Sequence, residues 1–458
     1  MKKNKVNPST LSGFMELLPK EELKFNKIKQ VLSEVYELYG FYPLDTPILE
    51  KSEVLLAKAG GETEKQIYRF FKGDTDITMR FDLTVPLAKY VAKNYNNLVF
   101  PFKRYQIGKV HRGERAQKGR FREFYQADID IIGDNELNII NDAEIISIIY
   151  NCFNKLGLTD FTIRLNNRKI LNGLFNMLKL EDKAADVMRI VDKIEKISKD
   201  DFIKELQKNN VSEQQCDEIL KFISIKGNSE EIIESLKTFC GKNEMFDQGV
   251  KELGLVYKYV VDFNVPQENY KIDLSIARGL DYYTGTVYET TFNKHPEIGS
   301  ICSGGRYDNL AEYYTDKKLP GVGISIGLSR LFYILNEMNY ITDVNNGPAD
   351  VLIIPMTDDL SYAINISGKL RNKGIRTQIY FEDKKIKNKI SFANRTNIIF
   401  ALFLGEDEIT SQKVTVKNLE SGEQLTLELD HAISLIKDQV NSIDKQKIIN
   451  IENKKADI

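Results

Sequence analysis

Hydrophobic positions in the first third of the chain follow both helical and strand-like spacing. In KIKQVLSEVYELYG, Ile28, Val35 and Leu38 fall on one face of a helix that Gly40 would end. The segments DITMRF and FPFKRYQIGKVH have the spacing of strands, and NDAEIISIIYNCFNKLG predicts a second helix. We expect residues 1–165 to form the first part of a domain that mixes strands and helices.

A Lys- and Glu-rich helical block follows in residues 166–262. Its apolar residues recur in stripes at helical spacing, and Gly227-Asn228-Ser229 separates the last two stripes with a helix stop and an N-cap. Strand-like sequence returns with NYKIDLSIARGLDYYTGTVYETTF, and residues 263–340 continue this pattern. A helical block between two strand-rich stretches predicts an insertion into one domain.

The last unit, residues 348–442, alternates strands and helices. VLIIPM, IRTQIYF and IIFALFLG predict strands, DLSYAINISGKLRNKG predicts a helix that Gly374 ends, and KVTVKNLESGEQLTLEL predicts a hairpin about Ser421 and Gly422. This alternation predicts a small α/β domain. Residues 443–458 would be a basic C-terminal tail.

Composition and charge narrow the class of protein. With 458 residues, 42% of them hydrophobic and 28% charged, the chain has the composition of a soluble globular protein of two or three domains. A formal net charge of −2 gives no overall attraction to nucleic acid or membrane, so a site for a polyanion must be a local patch. The four cysteines lack CxxC spacing, the three histidines form no metal-binding pair, and no apolar run reaches the roughly 18 residues that cross a bilayer. We expect a cytoplasmic protein with no metal site of its own.

The stretch HRGERAQKGRFREFYQADID concentrates cations and then carboxylates. Strand-like spacing on both sides predicts a hairpin. One face of its second strand then carries Arg122, Phe124, Gln126, Asp128 and Asp130. That order suits a ligand with phosphates at one end, a base in the middle and a cationic group at the other. The alternative is an exposed hairpin with cross-strand ion pairs, which is favoured for the charges considered alone.

Asp82 and Thr84 lie at a predicted strand-to-helix junction in TMRFDLTVPLAKYVA, with Pro86 placed as a helix-opening residue. On this segment alone, capping of the helix is the favoured explanation. The functional alternative makes Asp82 an acceptor for an α-ammonium group.

Two further segments carry isolated arginines. ARGLDYYTGTVYE predicts a strand on which Arg278 lies beside Tyr282 and Tyr283. GVGISIGLSRLFYIL predicts a strand followed by a helix with Arg330 in its first turn, where the helix dipole opposes a cation. A polyphosphate at that end would explain Arg330, and the alternative is an arginine that points outward.

The sequence contains no nucleophile with a neighbouring base and no GxxxxGK[ST] motif. Arginines, aligned acids and glycine-containing strands instead favour catalysis by positioning and electrostatic stabilisation. This suits phosphoryl or nucleotidyl transfer between two bound substrates, with Mg²⁺ arriving with the nucleotide.

These segments resemble the histidyl-tRNA synthetases, a family of class II aminoacyl-tRNA synthetases, over nearly the whole chain. FKRYQIGKVHRGERAQKGRFREFYQ resembles the family's motif 2, GVGISIGLSRL resembles motif 3, and RGLDYYTGTVYE and GGRYD resemble its histidine-specific signatures. The resemblance implies an α+β fold: an antiparallel-sheet catalytic domain with a helical insertion, and a C-terminal α/β anticodon-binding domain. It also implies ATP-dependent ligation of L-histidine to its tRNA through a histidyl-adenylate, and a homodimer.

The resemblance also implies residue roles. The histidine site would contain Asp82, Leu83, Thr84, Arg112, Gln126, Asp130, Arg278, Tyr282, Tyr283 and Tyr307. Within it, Asp82, Thr84 and Gln126 would hold the α-ammonium, and Asp130 and Tyr283 the imidazole. The ATP site would contain Arg112, Glu114, Arg120, Phe124 and Arg330, with Phe124 stacked on adenine. Arg278 and Arg112 would be catalytic at the α-phosphate, and Arg115 and Gln117 would contact the acceptor end of the tRNA.

Two positions depart from the family pattern. Ser329 stands where an acid often precedes the motif 3 arginine, and Glu16 stands where an Asp is usual. The rival interpretations are the synthetase-like regulatory subunit of ATP phosphoribosyltransferase and an RNA-binding regulatory domain. The regulatory subunit typically lacks the anticodon-binding domain and has eroded histidine signatures, and the RNA-binding domain would not need the three arginines together. Residues 349–440 and the intact RGLDYY favour the ligase.

Overall fold

The computed structural model describes residues 5–57, 66–277, 282–341, 347–444 and 449. The chain divides into two compact units, one of residues 1–16 and 29–339 and the other of residues 17–28 and 340–458. The first unit holds an eight-stranded and a three-stranded sheet, and the second a five-stranded sheet. Among the described residues, no helix combines the length and the apolar character needed to cross a membrane.

The first unit is built on a large, mainly antiparallel sheet. Its described strands are β1 Tyr42–Pro43, β2 Leu49–Lys51, β3 Arg69–Lys72, β4 Thr75–Met79, β5 Phe102–His111, β6 Glu123–Ile132, β7 Phe161–Asn167, β8 Tyr270–Ile272, β9 Thr286–Phe292, β10 Ser300–Tyr307 and β11 Gly321–Ile326. The large sheet has the order β1-β5-β6-β11-β10-β9-β7-β8, and β2, β4 and β3 form the smaller one. Only the β1–β5 and β7–β8 pairs at its described edges are parallel. The expected antiparallel sheet is confirmed.

Helices precede, interrupt and follow this sheet. Before residue 340 the described helices are α1 Pro19–Leu38, α2 Ser52–Leu55, α3 Thr84–Asn94, α4 Ile140–Leu156, α5 Arg168–Met177, α6 Ala184–Val191, α7 Lys199–Lys208, α8 Glu213–Ile223, α9 Ser229–Lys237, α10 Glu244–Asp262 and α11 Leu328–Glu337. The helix predicted around Val35 is thus part of α1, and Gly40 follows it with a left-handed φ of 76°. That conformation favours glycine and ends the helix.

Helices α5 to α10 form an excursion between two strands that lie side by side. β7 ends at Asn167 and β8 begins at Tyr270, and the two strands pair in parallel. Asn228 caps α9, because its side chain accepts a hydrogen bond from the Glu231 backbone at 3.0 Å while the Glu231 carboxylate accepts one from the Asn228 backbone. The predicted N-cap is confirmed, and the predicted domain bounds stay a prediction.

The hairpin of β5 and β6 has one apolar and one polar face, and both are buried. Ala127, Ile129 and Ile131 alternate along β6 and are fully buried. The intervening positions Gln126, Asp128 and Asp130 pair with Gly108, Gln106 and Arg104 of β5. Because successive side chains point to opposite faces of a sheet, these polar groups meet on the face away from the isoleucines. The fold therefore buries a polar surface that the candidate site uses.

The second unit is a separate α/β domain. Its described elements are β12 Val351–Pro355, α12 Ser361–Asn372, β13 Thr377–Ile379, α13 Ile386–Arg395, β14 Phe400–Leu404, α14 Glu406–Ser411, β15 Lys413–Asn418, β16 Gln424–Glu428 and α15 Leu429–Asp444. The sheet order is β13-β12-β14-β15-β16. Val351 and Ile353 of β12 pack into one apolar cluster, and Leu352 and Ile354 pack into another. Burial on both faces explains the continuous apolar run VLIIP and confirms the α/β fold.

A buried ion pair joins α4 to β10 in the first unit. The Arg306 guanidinium donates to the Asp142 carboxylate at 2.5 and 3.1 Å, and Asp142 is fully buried. Asp142→Ala would leave the buried guanidinium without its anion, so we expect the free energy of unfolding to fall by about 3–5 kcal/mol. Urea denaturation followed by circular dichroism measures this loss.

The matched control is Lys155→Ala, which removes an exposed ion pair of 3.0 Å between Lys155, also on α4, and Glu34. Exposed pairs contribute about 0–1 kcal/mol, so this variant should unfold near the wild-type urea concentration. Equal losses in the two variants would contradict a specific role for the Arg306–Asp142 pair.

Candidate active site

A cavity of about 390 Å³ lies on the polar face of the large sheet. The predicted site residues that line it are Asp82, Thr84, Arg112, Glu114, Arg120, Phe124, Gln126, Asp130, Tyr282, Tyr283, Tyr307 and Arg330. Leu83 does not line it, and this fully buried residue offers its backbone carbonyl to Arg104 at 3.1 Å. Arg115 and Gln117 are exposed in the loop between β5 and β6. Arg278 lies outside the described residues.

The predicted polar face of β6 reaches the cavity from Phe124 onward. Phe124, Gln126, Asp128 and Asp130 all line it. Arg122 does not, because β6 begins one residue later and the Arg122 Nε donates to the Glu114 carbonyl at 3.0 Å. The strand alternation was therefore a reliable guide only within the strand itself.

Asp130 is held by two groups at the base of the cavity. Arg104 Nη2 lies 2.6 Å from Asp130 Oδ2, and the Tyr307 hydroxyl donates to Oδ1 at 2.8 Å. Burial raises the pKa of Asp130 to about 6, although Arg104 and Tyr307 act in the opposite direction. Arg104 is fully buried and was missed in the sequence. The sequence showed that Arg104 lies two residues from Gln106 on a strand-like segment. It did not show the register that places Arg104 opposite Asp130.

Asp82 caps a helix with one carboxylate oxygen and leaves the other without a partner. Its Oδ1 accepts a hydrogen bond from the Val85 backbone at 3.1 Å, so it caps the start of α3. Its Oδ2 is buried and has no hydrogen-bond partner among the described residues. Burial raises the pKa of Asp82 to about 6, while the charges of Arg112 and Arg104 lower it. One oxygen is thus structural and the other is available to a ligand.

Asp128 and Gln126 also present free acceptors. Gln126 Nε2 donates to the Ser325 hydroxyl at 2.6 Å, whereas Gln126 Oε1 and Asp128 Oδ1 are buried without a hydrogen-bond partner in the described part of the chain. Burial raises the pKa of Asp128 to about 7; Arg104 opposes this rise and Asp130 adds to it. These two oxygens can therefore accept hydrogen bonds from a ligand in the cavity.

The other end of the cavity combines a cation with an aromatic ring. Arg112 Nε donates to the Phe81 carbonyl at 2.9 Å, and the Arg112 guanidinium carbon lies 5.3 Å from the centre of the Phe124 ring. Glu114 and Arg120 face each other at 3.9 Å at the edge of the cavity. A cation, a flat ring and an acidic acceptor are the groups that the phosphates and base of a nucleotide require.

The loop tip and α11 meet beside Arg330. Gly119 has a left-handed φ of 69°, and a Cβ there would come within 3.4 Å of the Arg330 side chain. Arg330 lies in the first turn of α11 as predicted, and its Nη2 donates to the Ile298 carbonyl. Ser329, which replaces the usual acid, is fully buried and accepts a hydrogen bond from the Tyr125 backbone at 2.9 Å. A backbone carbonyl thus holds the arginine, while the serine joins α11 to β6.

Three tyrosines close the acidic end. The Tyr282 ring packs edge-on against Tyr283 at 4.9 Å and against Tyr307 at 5.8 Å. The strand predicted over ARGLDYYTGTVYE is wrong for Tyr282 to Gly285, because β9 begins only at Thr286. Tyr282 and Tyr283 are consecutive yet pack on the same apolar cluster, which the alternating side chains of a strand do not permit.

Gly323 on β11 allows the Asp130 carboxylate to lie close to the sheet. A Cβ at this position would fall 2.3 Å from Asp130 Oδ1 and 2.3 Å from the Ile129 carbonyl. We expect Gly323→Ala to lower the free energy of unfolding by about 1–3 kcal/mol or more, because neither backbone can yield. Urea denaturation measures the loss. The control is Gly254→Ala on α10, where no atom outside the neighbouring helix backbone lies within 4 Å of the added Cβ, and this variant should be as stable as the wild type or more stable. Wild-type stability in Gly323→Ala would contradict this close contact.

Comparisons with known proteins agree with the geometry. A family model described as histidyl-tRNA synthetase matches residues 13–331, and one described as an anticodon binding domain matches residues 350–439. A histidine–tRNA ligase of Clostridium tetani is 57% identical over 95% of this chain and 100% of its own length, and that of Clostridium acetobutylicum is 48% identical over 93% and 99%. The crystal structure of histidyl-tRNA synthetase from a Nostoc species superposes with a TM-score of 0.88 at 39% identity, covering 95% of this chain and 100% of that one. The chain belongs to the histidyl-tRNA synthetase family of class II aminoacyl-tRNA synthetases.

Proposed function

We propose that the protein ligates L-histidine to its cognate tRNA, with ATP as the energy source and AMP and pyrophosphate as products. The observation that carries this function is a single cavity with buried carboxylates at one end and Arg112, Phe124 and Arg330 at the other. The acidic end suits a cationic amino acid, and the arginine end suits the phosphates of ATP. Family membership supplies the reaction that joins the two.

The amino acid occupies the acidic end. Asp82, Thr84 and Gln126 hold the α-ammonium, and Asp130 with Tyr283 holds the imidazole. Arg104 and the Tyr307 hydroxyl keep the Asp130 carboxylate in place and favour its ionised form, which accepts a hydrogen bond from an imidazole N–H. An analogue without the ring nitrogens would leave this buried carboxylate unpaired, and this selects for histidine.

ATP occupies the other end. Arg112 binds the α-phosphate, Phe124 stacks on adenine, Glu114 contacts the adenine edge, and Arg120 and Arg330 lie toward the distal phosphates. Mg²⁺ accompanies ATP, because phosphate oxygens are the ligands it prefers. Among the described residues, no group of three or more His, Cys, Asp or Glu side chains is placed to hold a metal ion.

The chemistry proceeds in two steps. A carboxylate oxygen of histidine attacks the α-phosphorus of ATP, the bond between the α- and β-phosphates breaks, and pyrophosphate leaves. Arg112 and Arg278 reduce the repulsion between the two anions and stabilise the charge that develops. The terminal ribose hydroxyl of the tRNA then attacks the activated carbonyl, loses its proton and releases AMP. No covalent intermediate with the protein is needed.

Two surfaces of the chain suit tRNA. Arg115 and Gln117, exposed at the tip of the hairpin, meet the acceptor end. In the second unit, the exposed apolar side chains of Met356 and Phe381 follow β12 and β13 at the carboxyl edge of the parallel strands. Exposed lysines, Lys384, Lys385 and Lys387, lie in the same loop and at the start of α13. Apolar platforms beside cations are typical of contacts to unstacked bases and phosphates.

A homodimer is the assembly that the resemblance implies. Tyr42, Leu49, Phe71 and Val99 of the first unit are apolar and exposed, by 69%, 47%, 68% and 85%. Leu49 and Phe71 lie on opposite faces of the three-stranded sheet, because their partners on β4, Met79 and Asp76, are three residues apart. A cytoplasmic location fits an enzyme of translation.

The regulatory-subunit interpretation is less well supported. A Bacillus halodurans structure titled ATP phosphoribosyltransferase regulatory subunit/histidyl-tRNA synthetase superposes with a TM-score of 0.72, but at 20% identity it shows the fold alone. The relatives at 57% and 48% identity, by contrast, are both histidine–tRNA ligases.

The function is tested by histidine-dependent exchange of pyrophosphate into ATP, followed by tRNA charging. We expect exchange with L-histidine and not with other amino acids. The triple variant Lys384→Glu, Lys385→Glu, Lys387→Glu should keep the exchange rate but raise the KM for tRNA about tenfold or more, because three cations at the RNA surface are reversed. Exchange needs no tRNA and serves as the internal control. Absence of exchange with histidine would overturn the function, and unchanged charging would remove this surface from tRNA binding.

A further inference from the structure

Four buried acceptor atoms of the cavity have no hydrogen-bond partner among the described residues, and one of them, Asp130 Oδ2, is ion-paired with Arg104 Nη2 at 2.6 Å. The other three are Asp82 Oδ2, Gln126 Oε1 and Asp128 Oδ1, and all three residues line the cavity. A buried acceptor without a donor costs free energy, and such atoms in a binding cavity point to a ligand that supplies the donors. Asp82 and Gln126 already have a proposed ligand, the α-ammonium of histidine. Asp128 has no role in the residue assignments that the family resemblance implies.

We propose that Asp128 is a further binding residue for the amino-acid substrate, and that it accepts a hydrogen bond from the α-ammonium together with Asp82 and Gln126. An ammonium group has three N–H donors and no acceptor. Asp82 Oδ2, Gln126 Oε1 and Asp128 Oδ1 are acceptors without a partner that share these donors with the Thr84 hydroxyl, which also lines the cavity. This assignment rests on the proposed function and deepens it, since it specifies how the cavity distinguishes an amino acid from its deaminated analogue.

The position of Asp128 supports a contact with substrate. It lies on β6 between Gln126 and Asp130, and its side chain shares the cavity face with both. Ser325 pairs with Asp128 across β6 and β11, and the Ser325 hydroxyl accepts a hydrogen bond from Gln126 at 2.6 Å. Ser325 thereby ties the two proposed ammonium ligands into one arrangement on two rigid strands.

The charges around Asp128 also call for a cation. On β5 the buried Arg104 lies closest to Asp130, and Asp130 and Asp82 carry the other carboxylates of the cavity. Among the described residues, Tyr283, Tyr36 and Cys302 also interact electrostatically with Asp128. Asp142, a structural carboxylate of the same unit, provides a contrast, because both of its oxygens accept hydrogen bonds from Arg306. Asp128 is paired less completely, because Ser325 is its side-chain hydrogen-bond partner and Oδ1 has none in the described chain.

The experiment compares Asp128→Asn with the wild-type enzyme in histidine-dependent ATP–pyrophosphate exchange. Removal of one charged hydrogen bond should raise the KM for histidine about 10- to 100-fold and leave the KM for ATP within about twofold. The matched control is Asp134→Asn, just beyond β6, where the carboxylate accepts a hydrogen bond from Tyr95 outside the cavity. Its KM for histidine should equal that of the wild type.

Two inhibitors identify the part of the substrate that Asp128 contacts. Histidinol carries the ammonium without the carboxylate, and imidazolepropionate carries the carboxylate without the ammonium. In Asp128→Asn, the inhibition constant of histidinol should rise by the same factor as the KM for histidine, and that of imidazolepropionate should stay unchanged or fall. An equal rise in the inhibition constants of both inhibitors would show that Asp128 contacts the imidazole. Unchanged inhibition constants for both would show that Asp128 does not contact the substrate. Both results overturn the proposal.

Folding is checked by thermal melting at about pH 8. The pKa of Asp128 is raised in the folded protein, so its contribution to stability is present at low pH and is lost as the pH rises through about 7. Asp128→Asn should therefore melt at or above the wild-type temperature at pH 8. If it does not fold, Asp128→Glu keeps the charge and shifts the carboxylate by about one methylene. The same selective rise for histidinol is expected there, and its absence equally overturns the proposal.

Discussion

Burial of acidic side chains against one arginine is the constraint on which the site depends. Asp82, Asp128 and Asp130 are each only 2% exposed, and Arg104 beside them is fully buried. Moving carboxylates out of water raises their pKa, and all three are raised here, to about 6, 7 and 6. The cavity therefore binds protons more readily than free carboxylates do, whereas a bound cation favours the ionised forms. Binding of a cationic amino acid and protonation of the cavity are thus linked.

The sheet enforces this arrangement through its register. Arg104 lies opposite Asp130, and Asp130 lies opposite Gly323 on the next strand. A shift of the β6 register by one residue would move the carboxylates to the apolar face and would move Ile129 and Ile131 to the polar face. Both changes are unfavourable. Gly323 leaves no room for a side chain at the point where the carboxylate rests. Stability of the strands and placement of the acids thus depend on the same contacts, while the paired acid Asp142 stabilises the fold without a ligand.

Local sequence patterns predicted much of this structure. They did not predict features that depend on pairing between residues far apart in the sequence. Alternation along β6 placed Gln126, Asp128 and Asp130 on one face. Helical spacing with end signals located α9 and α12, and short apolar runs located strands of the second unit, because these signals lie within a few residues. Arg104 was not predicted because its partner Asp130 is 26 positions away, and the sequence of one strand does not determine its register with another strand. The strand assigned around Tyr282 failed because tertiary packing of consecutive tyrosines overrode strand spacing. The sequence could not show that Asp82 caps α3 and also has an oxygen available to a ligand. The structure shows this because Oδ1 accepts the capping hydrogen bond and Oδ2 has no partner among the described residues.

The central claim is that the acids of the cavity bind protons more tightly than free carboxylates do, and that a bound amino-acid cation displaces these protons. Isothermal titration calorimetry of L-histidine, in two buffers of different ionisation enthalpy at about pH 6.5, counts the protons released on binding. The imidazole of the ligand contributes equally in wild type and Asp128→Asn, so the difference between the two proteins isolates one acid of the cavity. The account predicts that the wild-type protein releases more protons per histidine bound than the variant. Equal release from both proteins would contradict it.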